Sequence, residues 1–421
     1  MILMKIRFFG GASEVGRSAI LIEDERNIML DYGLKIDHET RFPTGSPKVD
    51  LAVISHAHLD HSGCAPALYN EISIPTFGTL PTLRLANLLL EDSLKLSQRN
   101  HTRLNYHKKQ LGTFNSRYIA IDYGARASFG NYDITLSDAG HISGSAVTLV
   151  ERSNGRDNRR IVYTGDFKLQ PQLLHRGAQI VKSDTLVIES TYATREHPDR
   201  QKLVRGFIDE IKETLDNGGT ALVPSFAVGR AQELLAMLQP AGLAERTYID
   251  GMAREATHIV MTHSAYIDNA KLLSDAIKAA TFIDSPGDRK GILDDPAVIL
   301  TPAGMLNGGP ALEYIARLNR NSHIFITGYQ AEGTNGRSLV ETGRIDVDGE
   351  RRKIATPISV YDFSAHAGKS DLYKYVRESA PNTVICVHGD PANTKAFAEE
   401  LRGEGFDAYA PVVGDSIELS N

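Results

Sequence analysis

The sequence predicts an α/β protein of two domains: a strand-rich domain split in sequence, and an α/β block inserted into it. Three observations predict this. Residues 1 to about 190 read mostly as short apolar runs separated by turn signals. From about 200 the pattern becomes an alternation of strand and helix, which implies βα units and a parallel sheet. After about 350 the chain returns to strands carrying metal-ligand-type residues. The expected boundaries are 1–195 and 351–421 for the two parts of the strand-rich domain and 196–350 for the insertion. A chain of 421 residues is long enough for each domain to bury a core.

The elements are read in order. Asn27 to Leu30 reads as a strand ending at Asp31, which stands in Asp31-Tyr32-Gly33 and is also explicable as a turn residue. Leu51 to Ser55 reads as a strand and runs into His56-Ala57-His58-Leu59-Asp60-His61, then Ser62-Gly63. Three imidazoles and one carboxylate within six residues suit zinc and similar divalent ions. Their spacing of two and three residues in a loop lets one segment feed two adjacent ions. A helical interval follows near Thr82 to Ser97.

Three later strands end the same way. Asp133 to Leu136 is followed by Asp138-Ala139-Gly140-His141, Ile161 to Thr164 by Gly165-Asp166, and Thr383 to Val387 by His388-Gly389-Asp390. Each is an apolar run, then a potential ligand beside a small turn residue. Strand ends bearing His or Asp are what one polynuclear metal site would look like in sequence.

Within the insertion, Arg200 to Asn217 reads as a helix, Thr220 to Ser225 as a strand and Val228 to Leu238 as a helix. Asp284 to Asp295, with Pro286 and Gly287, is the most linker-like stretch. Ala297 to Thr301 then reads as a strand, Pro310 to Leu318 as a helix and Ser322 to Thr327 as a strand. The glycines Gly304, Gly308 and Gly309 precede that helix and are candidates for a phosphate cradle. They are equally explained as loop glycines at positive φ. Ser364 and Arg230 are further candidate substrate contacts, and Arg230 could instead pair with Glu233 on its own helix.

Composition sets limits. Hydrophobic content of 42% and charge of 23% are ordinary for a globular protein. No apolar run has membrane length and no signal-peptide pattern opens the chain, so a cytoplasmic location without a membrane partner is expected. Cys64 and Cys386 read as small buried hydrophobes in a reducing compartment. A net charge of −6 argues against a protein that coats polyanions indiscriminately. It leaves room for local positive potential. Two Zn²⁺ with Asp60, Asp166 and one hydroxide would retain about one positive charge. Lys95, Arg99, Arg103, Lys108 and Lys109, with Tyr106 nearby, form a second candidate for phosphate contact or simply a solvated helix face.

His-x-His-x-Asp-His followed at a distance by His, Asp and His resembles the metallo-β-lactamase superfamily. The second half resembles its β-CASP nucleases. Glu189-Ser190-Thr191-Tyr192 is similar to β-CASP motif A, Asp362-Phe363-Ser364-Ala365-His366 to motif B and Val387-His388-Gly389 to motif C. Gly11 to Asp31, Pro224 to Glu233 and Gly328 to Thr334 are also family-like. His-Leu-Asp-His, with Leu59, is nearer the nuclease subunit of the cleavage and polyadenylation specificity factor than ribonuclease J. The chain is too short for the KH domains of some relatives, so an archaeal-type homologue without them is expected.

The resemblance implies a four-layered αββα metallo-β-lactamase domain carrying an inserted β-CASP domain, and active sites often lie where two domains meet. It implies two zinc ions per chain: one on His56, His58 and His141, the other on Asp60, His61 and His388, with Asp166 bridging and a hydroxide on the open side. Asp31 would orient a ligand imidazole. His366, held and kept protonated by Glu189, would protonate the leaving 3′-oxygen. The implied activity is zinc-dependent ribonucleolytic cleavage in RNA processing or decay, endonucleolytic or 5′→3′ exonucleolytic. A homodimer and RNA-processing protein partners are compatible with it. A β-CASP DNA-repair nuclease is the alternative, against which His388 argues, since that branch typically lacks His there. Motifs A and B argue against a small-molecule hydrolase, and the intact ligand set argues against a non-catalytic scaffold.

Overall fold

The computed structural model describes residues 4–36, 39–69, 73–153, 158–347 and 349–419. The chain divides into two compact units, one of residues 1–171, 176–196 and 365–421, the other of residues 172–175 and 197–364.

The first unit holds two seven-stranded sheets. One runs in the order Ser416–Glu418, Lys5–Gly10, Ala19–Glu23, Ile28–Leu30, Leu51–Val53, Thr76–Gly78, Tyr118–Ala120. The other runs Asp407–Tyr409, Thr383–Val387, Thr185–Glu189, Asn158–Tyr163, Ala146–Ser153, Tyr132–Asp138, Arg126–Phe129. Alternation within strands decides the layering. Val187, Ile385 and Val387 share an apolar cluster with Ile6, Phe8, Leu30 and Val53 of the other sheet. Their neighbours Leu186, Ile188, Val384 and Cys386 face outward onto Leu372, Tyr375, Val376, Phe397 and Leu401. Those residues lie on the helices Lys369–Ser379 and Pro391–Gly403. The second helix buries Thr394, Phe397, Ala398 and Leu401, a helical apolar face, and starts with proline where the amide proton is dispensable. This is the αββα arrangement.

Register brings the site loops to one end. Thr185–Glu189 is parallel to Thr383–Val387, with Glu189 opposite Val387. It is also parallel to Asn158–Tyr163, with Val187 opposite Tyr163. Glu189, His388 and the loop bearing Asp166 therefore leave neighbouring strands in the same direction. In the first sheet Leu30 pairs with Val53 in parallel, so Asp31 and Ser55 emerge side by side.

The second unit is built on a six-stranded parallel sheet, ordered Thr281–Phe282, Thr247–Ile249, Val298–Thr301, Ala221–Pro224, His323–Ile326, Ile358–Val360. The helix Arg200–Asp216 leads into its first strand, and Arg230–Leu238, Met252–Thr262 and Ala270–Ala279 are among those that connect its strands.

The compact second unit runs to Ser364, and Ile358–Val360 is the edge strand of its sheet. Two expectations are corrected. Asp284 to Asp295 is no linker. Arg289 is buried there, 2.7 Å from Asp250 and 2.8 Å from Glu313, and Ile292 joins the core. The helix at Pro310 stops at Ile315, not Leu318. A helix at Lys108–Arg117 was not anticipated.

Candidate metal centre

Backbone shape delivers the donors. Asp31 and His388 follow their strands with φ of 58° and 47°, a left-handed conformation that costs a non-glycine residue energy and recurs at functional sites. At Gly33 a Cβ would fall 1.8 Å from the Asp60 carbonyl, so only glycine lets the two loops meet. Gly165, at φ +52°, would clash with Ser55 at 2.8 Å, and its bareness seats Asp166 against the His56 loop.

Two donor groups result: His56, His58 and His141, and Asp60, His61, Asp166 and His388. In the first, His58 Nδ1 lies 3.2 Å from His56 Nε2 and 3.2 Å from His141 Nε2. Ligands of one tetrahedral zinc at about 2.0–2.1 Å stand about 3.3 Å apart. In the second, Asp166 Oδ1 lies 3.3 Å from His61 Nε2 and 3.1 Å from His388 Nδ1. Asp60 Oδ2 is 3.4 Å from His388 Nε2, which also accepts from the Gly16 amide. The other Asp166 oxygen, Oδ2, faces the first group, 3.7 Å from His56 and 3.9 Å from His141.

Hydrogen bonds fix where the lone pairs point. The buried Asp31 carboxylate accepts from the Ser55 amide and hydroxyl, from Tyr163 Oη and from His61 Nδ1 at 2.6 Å. With Nδ1 given to Asp31, Nε2 is the ring nitrogen aimed at the cluster and the one that can offer a lone pair to a metal. The Ser55 proton goes to Asp31, so Ser55 Oγ accepts from His56 Nδ1 at 3.1 Å and His56 takes the same tautomer. His141 Nδ1 donates to the Ala365 carbonyl at 2.9 Å, with the same result.

These donors fit a metal. Among the described residues, His61 Nε2 and Asp166 Oδ1 are buried with no hydrogen-bond partner. Burial, then neighbouring imidazoles, hold His56 and His141 well below the usual imidazole range, in the neutral form that binds metal. Burial would also lower His61, but Asp166, Asp31 and Asp60 push it well above its ordinary value. Burial would raise Asp60 and Asp166, yet the surrounding imidazoles hold both below the carboxylate range. The carboxylates here call for positive charge, which a cation would supply.

His366 sits at the rim. Its Nδ1 lies 3.0 Å from both oxygens of the buried Glu189. Its Nε2 lies 3.8 Å from Asp166 Oδ2, and His141, Asp166 and His366 form a third group with metal-ligand geometry. Burial lowers its pKa, but Glu189 first and then Asp166 push it up to about 9. Sequence reasoning missed what holds it: Lys168 Nζ donates to the His366 carbonyl at 2.9 Å. It also missed Ser55 and Tyr163, and Thr191, whose hydroxyl donates to the His388 carbonyl. Asp138 serves its turn, accepting from the Gly140 amide.

The remaining predicted contacts lie in the second unit. Ser364 is buried, its amide donating to Asp362. Arg230 is buried, and Glu233 is engaged by Arg200 and by the Leu173 and Leu174 amides. Gly308 and Gly309 have φ of 147° and 77°, and the helix they precede has only six residues. In the first unit, Lys95, Arg99, Arg103, Lys108 and Lys109 are all exposed. Tyr106, by contrast, is buried with its hydroxyl on the Leu90 carbonyl and cannot stack on a ligand. Cys64 and Cys386 are buried, and burial pushes both thiols far up. Among the described residues no helix is long and apolar enough to cross a membrane.

Known proteins resemble this chain over nearly its whole length. Residues 231–339 match the Beta-Casp domain, residues 351–411 the Zn-dependent metallo-hydrolase RNA specificity domain, and residues 9–213 the Anti-Pycsar protein Apyc1 family. The chain is 35% identical to "Probable RNase MJ4" of Methanocaldococcus jannaschii, over 99% of this chain and 100% of that one. It is 34% identical to "RNase aCSPSF2" of Saccharolobus solfataricus, over 98% and 85%. It is also 34% identical to "Transcription termination factor FttA" of M. jannaschii, over 99% and 72%. A solved structure from Enterococcus faecalis V583, a protein of unknown function, superposes with a TM-score of 0.61 at 15% identity. It covers 99% of this chain and 100% of that one, and shows the fold alone.

Proposed function

The chain belongs to the β-CASP family of metallo-β-lactamase-fold ribonucleases, and from that premise we propose that it hydrolyses RNA phosphodiester bonds with two zinc ions. The observation that carries this reading is the pair of donor groups with Asp166 in one and its second oxygen facing the other. His56, His58 and His141 would hold one ion, Asp60, His61 and His388 the other, with one Asp166 oxygen turned to each. Ions held there supply Lewis acidity: they lower the pKa of water toward 7 and offset phosphate charge.

The protein's own residues do the rest. Asp31, directly and through Ser55, keeps the His61 and His56 lone pairs aimed inward. His366, kept protonated by Glu189, gives a proton to the leaving 3′-oxygen. Lys168 and His141 hold the backbone of the His366 loop while that proton moves. Between Ser93 and Ile121 the chain has no acidic residue, and Lys95, Arg99, Arg103, Lys108, Lys109 and Arg117 make no ion pair among the described residues. This segment contacts the RNA backbone. Lys108 and Lys109 occupy the first turn of a helix, where cations are unfavourable, which supports a binding role over a stabilising one.

The test is a gel with end-labelled RNA bearing 5′-triphosphate, monophosphate or hydroxyl, run beside duplex DNA of the same sequence. RNA is expected to be cut and duplex DNA spared. Internal products indifferent to the 5′ group mean endonuclease; mononucleotides that require monophosphate mean 5′→3′ exonuclease. Equal rates on duplex DNA and RNA would overturn the reading.

A further inference from the structure

Only three Phe or Tyr side chains are exposed among the described residues: Phe226, Tyr329 and Tyr409. Two of the three are neighbours. Phe226 follows the strand Ala221–Pro224 and Tyr329 follows His323–Ile326, and these strands are adjacent and parallel. Both rings therefore leave the sheet at its carboxyl edge, where α/β sheets receive ligands. Isolated exposed hydrophobics need no explanation, but a pair at this edge does.

The loops around them are close and joined. A Cβ at Gly328 would sit 4.0 Å from the Phe226 ring, and one at Gly304 would sit 2.9 Å from the Phe226 amide nitrogen. Gln330, nearly buried, donates to the carbonyls of Gly304 and of Gly328 and so joins the two loops. The Gly336 amide donates to the Met305 carbonyl. Glycines at 304 and 328 let the loops approach this closely. The rings are 38% and 37% exposed, half-embedded and so held in place without being hidden.

We propose that Phe226 and Tyr329 form a stacking subsite for the unpaired bases of RNA, an assignment that rests on the ribonuclease reading. Every base has a π-face, so such a subsite binds single strands with little regard to sequence. A duplex, whose bases are already stacked on one another, offers these rings nothing.

The chain has no tryptophan, so Tyr329→Trp places one fluorophore in the subsite and keeps an aromatic ring. Stopped-flow mixing with single-stranded RNA, which reads binding ahead of cleavage, is expected to quench its emission. RNA with abasic riboses is expected to quench little. Phe226→Ala and Tyr329→Ala, read by anisotropy of labelled RNA, should each raise Kd about tenfold, within the range that stacking supplies. Phe226→Leu should fail to restore binding and Phe226→Trp should restore it, which separates a π-face from apolar bulk. Binding of abasic RNA should be unchanged by any of these. A double alanine variant within twofold of wild type on single strands would overturn the proposal, as would equal losses on abasic RNA. Cleavage by the wild-type protein is scored separately. Protein that cuts RNA but binds it unchanged without the rings loses only the subsite; protein that binds through the rings but cuts nothing loses only the nuclease reading.

Discussion

Both units place their chemistry on loops at strand ends, but they fill those loops differently. In the first unit the strand ends carry imidazoles and carboxylates, locked into one tautomer each by a buried carboxylate, a serine and a carbonyl. In the second they carry glycines and two half-exposed rings. The first arrangement concentrates charge demand at a point, as metal chemistry requires. The second offers two aromatic faces, as recognition without sequence preference requires. One strand-end architecture thus serves bond breaking and grip, and substitutions should separate the two.

The largest effect is expected at Asp166, which faces both donor groups. Asp166→Ala should lower zinc content from about two per chain to one or none by elemental analysis. Cleavage should fall by at least about 10⁴-fold, a large part of what an enzyme supplies. Cleavage persisting in metal-free protein would end the two-metal account.

His366→Ala comes next. Zinc should remain and RNA affinity should hold, while single-turnover cleavage falls roughly 10²–10⁴-fold. Glu189→Gln should lose less, and the double variant should be scarcely worse than His366→Ala, because groups acting as one unit are not additive. Because His366 also stands within ligand reach of Asp166, zinc content in the same preparations decides its role. Lost zinc would make it a ligand.

Asp31→Asn should act on metal affinity, by about 10–100-fold in a chelator competition, since the amide cannot hold His61 as the carboxylate does. Tyr163→Phe should do the same more weakly. If Asp31→Asn binds zinc as wild type does, the tautomer argument fails.

The smallest effect is expected in the basic segment. Lys108→Gln with Lys109→Gln should flatten the plot of log Kd against log salt, by about 0.7 for each single-strand phosphate that is no longer neutralised. Removing two cations from a helix N-terminus should also leave the melting temperature unchanged or slightly higher. A lower melting temperature with an unchanged salt slope would make these lysines structural.

What the sequence disclosed follows the reach of the interactions. Ligand-type residues at strand ends were legible because His56 to His61 crowd into six positions and His141, Asp166 and His388 each follow an apolar run. The residues that hold them were not. Tyr163 reaches Asp31 across 132 positions and Lys168 reaches His366 across 198, and no local pattern encodes such pairings. The helix Lys108–Arg117 escaped because it buries only Leu111 and Phe114, too few to mark a period. Asp284 to Asp295 looked like a linker because Arg289 finds Asp250 39 positions away.

The donor cluster also makes the metal a variable of stability. Its residues are drawn from positions 56 to 388, so an unfolded chain keeps only the His56 to His61 segment and an ion should bind the native state more tightly. Ion at a hundredfold excess over its dissociation constant adds about 2.7 kcal/mol to the native state. A chelator should therefore act as a mild denaturant on zinc-loaded protein. Its melting temperature should climb with free zinc, reporting occupancy with no RNA present.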